Sequence, residues 1–375
     1  MKLRLAALFR GAMWILAFAA LSAAAQGINY QGLWWASPAA SESGWGINFA
    51  HQADTIFASW FTYDTTGKGW WLVMTAAKTA NGVYSGTLYQ THGPAFSSIP
   101  FNPASVTATA VGSATLAFSD ANTATFDYTV DGTHQTKTLT REVFGTLPAC
   151  GFAALADITK ATNYQDLWWA SPAGSESGWG INLTHQGDTI FGSWFTYDVD
   201  GSPLWLVVTA NLTAPGTYSG TLYRTTGPAF SATPFLPSGV GATPVGSATF
   251  VFANGNSAAF TYTINGVGPT TLTQTKSLVR EIFAVPGTAC IAPGGGPPTI
   301  KSFSVGADEA LSWPNVLVNL PDEHTTVIPP AVPGGSYLVF AASKISGGTG
   351  GAVALQTADL VNFAFASGYN HQVMT

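Results

Sequence analysis

The sequence predicts an all-β protein of two tandem eight-stranded antiparallel barrels, or sandwiches, followed by an incomplete β-rich C-terminal segment. Three observations carry that prediction. A stretch of chain returns further on: Asn29-Tyr30-Gln31 recurs as Asn163-Tyr164-Gln165, 134 residues later. Runs rich in aromatic and β-branched residues alternate with turn signals, and no window has a 3.6-residue apolar period. The composition is aromatic rather than charged: 46% hydrophobic and 9% charged, with 41 Gly, 23 Phe and 13 Trp in 375 residues. An ordinary soluble domain is roughly 25% charged. The chain is too apolar to be intrinsically disordered, and its 13 Lys and Arg are too few for an electrostatic nucleic-acid binder.

Residues 1–25 read as a secretory signal. Lys2, Arg4 and Arg10 precede a short apolar core containing Trp14, Ile15 and Leu16, and Ala23-Ala24-Ala25 offers a cleavage site before Gln26. The apolar core is shorter than the ~20 residues of a spanning helix. Cleavage removes three of the 13 basic residues and leaves 10 against 19 acids, a formal charge of −9. The mature chain is therefore expected to be secreted or periplasmic, mildly acidic and not inserted in a membrane.

The repeats are placed at 29–150 and 163–290. Trp34-Trp35-Ala36-Ser37-Pro38 returns as Trp168-Trp169-Ala170-Ser171-Pro172, and Glu42-Ser43-Gly44-Trp45-Gly46 as Glu176-Ser177-Gly178-Trp179-Gly180. Arg141 matches Arg280 at an offset of 139, so repeat 2 carries about five extra residues near 267–275. Each copy is long enough to bury its own core. Within repeat 1 the strands are expected near 31–36, 45–52, 55–63, 70–77, 83–90, 112–118, 123–130 and 135–144, with turns at Asp64-Thr-Thr-Gly67, Ala80-Asn-Gly82 and Asp131-Gly132. Closure into a barrel is preferred because it removes edges that few charges are available to protect. Residues 291–300 form a Pro/Gly linker. Residues 301–375 show strands near 336–342, 351–357 and 360–366, and read as the start of a larger β domain.

Cys150 and Cys290 occupy equivalent positions. In an oxidising compartment they suggest one disulfide, which requires the repeats to pack about a pseudo-twofold axis; free or intermolecular thiols are the alternative.

Similarity between the copies is uneven. Residues 29–64 match 163–198 at 30 of 36 positions, whereas 101–130 match 235–264 at 16 of 30. The first half is under a stronger constraint, either packing or a site. Its candidate ligand-binding residues are Trp35, Glu42, Trp45, Asn48 and His51, with counterparts Trp169, Glu176, Trp179, Asn182 and His185. Indole rings supply apolar faces for stacking on a sugar, and Glu and Asn suit its hydroxyls. The competing reading is that the tryptophans, Trp60 and Trp194 above all, simply fill the barrels. Catalytic readings find less support. Nothing sets the separation of Glu42 and Asp64 as a glycosidase pair. Ser43, His51 and Asp54 lack a nucleophile elbow, and one His with nearby carboxylates is a sparse metal set. No cofactor is expected.

Leu33-Trp34-Trp35, Glu42 to Gly46, His51-Gln52 and Trp60-Phe61-Thr62-Tyr63-Asp64, with their repeat-2 equivalents, resemble a family of uncharacterised secreted proteobacterial proteins that carry such modules in tandem. The resemblance covers about residues 29–290 and implies no particular activity. Leu355-Gln-Thr-Ala-Asp-Leu-Val-Asn-Phe363 resembles a blade of glycosidase-type β-propellers, with Thr357 and Phe363 in place of Ser and Trp. Duplication favours binding, since two linked weak sites gain avidity. The leading expectation is a secreted non-catalytic binding module for a neutral or weakly charged ligand, with glycan as the candidate. The alternatives are accessory repeats of a propeller-type glycoside hydrolase and a structural surface or adhesion protein.

Overall fold

The computed structural model describes residues 27–265 and 271–291, and beyond them the strand backbones within 324–374. The segment expected to be an export signal, the expected linker after Ile291 and the rest of the tail lie outside the described residues. Barrel 1 runs β1 (Gly32–Ala36), β2 (Gly46–Gln52), β3 (Thr55–Tyr63), β4 (Gly69–Ala80), β5 (Val83–His92), β6 (Thr107–Phe118), β7 (Thr123–Val130) and β8 (Thr133–Arg141). The strands pair in sequence order, and β1 closes on β8 with Trp34 opposite Arg141. A short strand, β9 (Ala149–Phe152), follows. Barrel 2 repeats the order with β10 (Asp166–Ala170), β11 (Gly180–Gln186), β12 (Thr189–Tyr197), β13 (Pro203–Ala214), β14 (Thr217–Thr226), β15 (Gly241–Asn254), β16 (Ser257–Ile264) and β17 (Leu272–Arg280), then β18 (Thr288–Ile291). The extra residues of repeat 2 fall between β16 and β17. In the tail, β19 (His324–Ile328), β20 (Tyr337–Lys344), β21 (Gly350–Thr357), β22 (Ala364–Phe365) and β23 (Gln372–Met374) form one antiparallel sheet.

The expected strands of repeat 1 are found, with one substantial difference. β6 begins at Thr107, five residues earlier than expected, and its first turns pair with the end of β5 beyond a bulge at Leu88/Tyr89. Thr107-Ala-Thr-Ala110 carries no large inward residue, so alternation is silent there. β9 and β18 carry no local signal in the sequence, since they pair with each other across the whole of repeat 2.

Period-two alternation builds the cores. Along β7, Ala124, Phe126, Tyr128 and Val130 are buried inside, while Thr123, Thr125, Asp127 and Thr129 point out. They sit opposite Thr140, Thr138, Thr136 and His134 of β8. This polar outer surface is the reverse of the apolar band around a membrane barrel. No described helix is long and apolar enough to cross a membrane. β2 and β3 break the alternation, because nearly every residue in them is buried. Ile47, Phe49 and His51 face the lumen, as do Ile56, Ala58 and Trp60, whereas Asn48, Gln52, Ser59 and Phe61 face barrel 2.

The two barrels meet about a pseudo-twofold axis, and the central contacts occur twice. Gln31 Nε2 donates to Gln165 O (3.1 Å) and Gln165 Nε2 to Gln31 O (3.4 Å). Asn48 Nδ2 donates to Ser193 Oγ (3.2 Å) and Asn182 Nδ2 to Ser59 Oγ (3.0 Å). Trp71 Nε1 reaches Thr196 O (3.0 Å), and Trp205 Nε1 reaches Thr62 O (2.9 Å). Gln52 and Gln186 each clamp the chain leaving the opposite barrel: Gln52 Oε1 accepts from Phe283 N and Ala284 N, and Gln186 Oε1 from Phe144 N and Gly145 N. At the axis, β9 pairs with β18, and Cys150 and Cys290, opposite one another in the register, form a disulfide.

The β5–β6 connections are exchanged as well. Residues 93–106 leave barrel 1 and close an end of barrel 2, where Phe96 N donates to Tyr197 O (2.8 Å) and the Phe96 ring lies 6.2 Å from Trp194. Phe230 does the same for barrel 1, donating from N to Tyr63 O (2.8 Å) and packing on Trp60 and Trp70.

Two stability outcomes follow from this geometry. The disulfide closes a loop with a sequence separation of 140, for which chain entropy gives about 4–5 kcal/mol. A Cys150→Ser/Cys290→Ser double variant should lose stability on that scale in denaturant unfolding, and an unchanged midpoint would contradict the cross-link. The β2–β3 turn holds Ala53 at φ +48, where the duplicate has Gly187 at φ +58. An L side chain in this region costs roughly 1 kcal/mol, so Ala53→Gly should raise stability by about 1 kcal/mol.

Candidate functional site

The Glu-Ser-Gly-Trp-Gly segment closes the barrel end that Phe230 also covers. Glu42 accepts from Trp45 Nε1 (3.0 Å) and from Lys137 Nζ (2.7 Å), and that ammonium lies 5.7 Å from the Trp45 ring centroid. Trp45 is 5% exposed and meets Trp60 edge-on. Gly44 has φ +124, its carbonyl accepts from Tyr63 Oη (2.6 Å), and a Cβ there would overlap Val240 of the exchanged connection. Glu176, Trp179, Lys276 and Gly178 repeat every feature, Gly178 against Val106. The motif thus combines a charge-neutralised plug with a glycine that lets the other repeat approach.

The remaining sequence-predicted residues are placed as follows. Trp35 and Trp169 are half-buried on the outer face, with Nε1 buried and without a hydrogen-bond acceptor among the described residues. Asn48 and Asn182 lie between the barrels. His51 and His185 are buried in the two cores, each with an adjacent Tyr ring stacked on it. His51 Nδ1 accepts from Tyr30 N (3.0 Å), which puts its proton on Nε2, 3.1 Å from Tyr84 Oη. Burial lowers both imidazoles to about 4. The ten residues therefore do not converge on one cleft. Trp60 and Trp194 are in the cores, each 3% exposed.

A groove does lie elsewhere, where the exposed ends of β3–β5 of barrel 1 meet the Asp200–Pro203 turn and Phe230 of barrel 2. One depression of about 260 Å³ is lined by Asp64, Lys68, Trp70, Gln90, His92 and Asp131. A second, of about 500 Å³, begins at His92 and continues past Pro94, Asn102, Ser105 and Asp200. Trp70 Nε1 donates to Gln90 Oε1 (2.8 Å), and Gln90 Nε2 lies 2.6 Å from His92 Nε2. With the amide donating, His92 carries its proton on Nδ1 and has that donor free for a ligand. Asp64 Oδ1 is taken up by Thr66 and Lys68. Barrel 2 differs at these positions, with Leu204, Arg224 and Thr226 in place of Trp70, Gln90 and His92, and Arg224 bonds Asp198 (2.6 Å). Similarity between the copies marks shared positions and carries no signal for a groove lined where the copies diverge. Among the described residues no group of three or more His, Cys, Asp or Glu is arranged to hold a metal ion.

The geometry defines a paired, internally pseudo-symmetric β-barrel unit with a polar groove at one end of the seam between the barrels. No protein-family model, curated protein or solved structure matches the chain.

The buried histidines set a pH dependence with a definite sign. Above the ordinary imidazole pKa of 6.5 both are neutral in either state. As pH falls from 6.5 to about 4 the unfolded chain takes up protons that the folded chain refuses, so stability is lost, about 3 kcal/mol for each His. Glu142 and Glu281, which burial pushes up to about 7, act in the opposite sense between 4.5 and 7. The His51 contribution is isolated by comparison with His51→Gln. The stability deficit of that variant should shrink by about 3 kcal/mol between pH 7 and pH 4 in urea unfolding, whereas a pH-independent deficit would mean His51 is not held neutral.

Proposed function

We propose that the paired barrels are an exported, non-catalytic binding module and that barrel 1 takes a neutral glycan in the groove running past His92. The observation that carries this reading is the Trp70–Gln90–His92 chain beside Asp64 and Asp131. It places an imidazole donor and carboxylate acceptors along one wall, the mixture that sugar hydroxyls, which donate and accept, require. The low charge of the protein agrees with an uncharged partner. The exchanged connections make the groove rigid, since residues 93–105 are held at Tyr197, Gly201 and Tyr262 of barrel 2. A pre-shaped groove loses little freedom on binding.

Glycan-array screening of the purified protein, followed by calorimetry on any hit, tests the reading. His92→Ala should weaken binding about tenfold or more while leaving the unfolding midpoint almost unchanged, because His92 is exposed. Gln90→Glu, which keeps an acceptor for the buried Trp70 N–H and removes the amide donor beside His92, should weaken it as well. Binding that survives both substitutions would move the site elsewhere, and an empty array would remove the glycan assignment.

A further inference from the structure

A further cavity lies beside the pseudo-twofold axis, at a place where the two barrels differ. In barrel 2, Arg280 stacks on Trp168 with its guanidinium 4.9 Å from the ring centroid. It donates to Gly255 O (2.5 Å), Gln165 O (3.0 Å) and Asn163 O (2.8 Å). A further Nη1–H bonds the Asp166 carboxylate at 3.0 Å, in a pair buried on all sides. In barrel 1 the same arrangement is one group short. Arg141 stacks on Trp34 at 4.8 Å and donates to Ala121 O (2.6 Å), Gln31 O (2.6 Å) and Asn29 O (2.9 Å). Position 32, equivalent to Asp166, is glycine.

Gly32 has φ +141, and a side chain at this position would start 2.9 Å from Arg141 Nη1. Arg141 consequently has no carboxylate partner among the described residues, and one of its Nη1–H groups has no acceptor there. The space is open: a cavity of about 190 Å³ is lined by Gly32, Arg141, Asn29, Gln31, Asn122 and Leu147, among others. Glu142, the one acid in the lining, is neutral below about 7 because burial raises its carboxyl. A guanidinium held by three carbonyls with two of its five N–H donors left over is costly to leave without an anion in a half-buried site.

We propose that this cavity binds a small monocarboxylate, its carboxyl group taking the place beside Arg141 that Asp166 fills beside Arg280. The carbon end would lie toward Leu147. The class is carboxylate rather than a general anion because the duplicate uses a carboxylate on the same guanidinium edge, and the volume limits it to a few non-hydrogen atoms.

The test uses acetate and the intact protein at pH 6, where Glu142 is mostly neutral. With four non-hydrogen atoms, acetate is expected to bind with a Kd on the order of 1 mM. Calorimetry at constant ionic strength in chloride should give one site, and Gly32→Asp should abolish it. In the unaltered protein, acetate methyl protons should show NOEs to the Leu147 methyls. That measurement decides the matter should Gly32→Asp fail to fold. Absence of the NOEs, full competition by equimolar chloride or sulfate, or unchanged binding in a folded Gly32→Asp protein would overturn the proposal.

Discussion

Along β2 and β3 the polypeptide satisfies two packed surfaces at once. Inward side chains such as Phe49 and Trp60 fill barrel 1, while Asn48, Gln52, Ser59 and Phe61 meet barrel 2 on the opposite face. A strand buried on both sides has no solvent to absorb an unpaired polar group, so each amide and indole N–H at this face needs a protein acceptor. The pseudo-twofold axis supplies those acceptors economically. The N–H bonds donated by Asn48, Trp71 and Gln52 are returned by Asn182, Trp205 and Gln186, so one local sequence solves the packing problem twice. The disulfide and the β9–β18 ladder stand on this axis and depend on the same docking.

That constraint accounts for the uneven similarity of the repeats. Residues 29–64 and 163–198 hold the doubly buried strands and the Glu-Ser-Gly-Trp-Gly plugs, where a change in one copy must be accommodated by the other. Residues 101–130 and 235–264 form strands with one face in water, and their outward positions drift freely, as Asp127 against Thr261 illustrates. The exchanged connections tie the barrels further, because Phe96 and Phe230 each complete a core that is not their own.

Both proposed binding sites lie at positions where the symmetry is broken. Trp70, Gln90 and His92 line a groove where barrel 2 has Leu204, Arg224 and Thr226, and Gly32 leaves open a space that Asp166 fills. A duplicated fold offers this route in general: the shared face preserves stability while one copy acquires surface chemistry that the other lacks.

The architecture was legible in the sequence because its signals are local. Alternation along 123–130 marks a strand whether or not its partner is known, Asp131-Gly132 marks its turn, and the offset of 134 announces two equivalent units. The candidate site was not legible in the same way. Trp45, Asn48 and His51 have the composition of a ligand site, but composition does not say which face of a strand meets water. Tertiary packing decided that: docking of the barrels turned Asn48 toward Ser193, while barrel 1 itself enclosed His51 between Tyr30 and Tyr84 and buried Trp45 against Trp60 beneath the Glu42–Lys137 pair. The sequence by itself determined two all-β units with equivalent cysteines, since period-two patterning and duplication are properties of the chain. Only the tertiary structure decided that the most similar residues form an interface, because burial on a second face comes from contacts between residues more than a hundred positions apart.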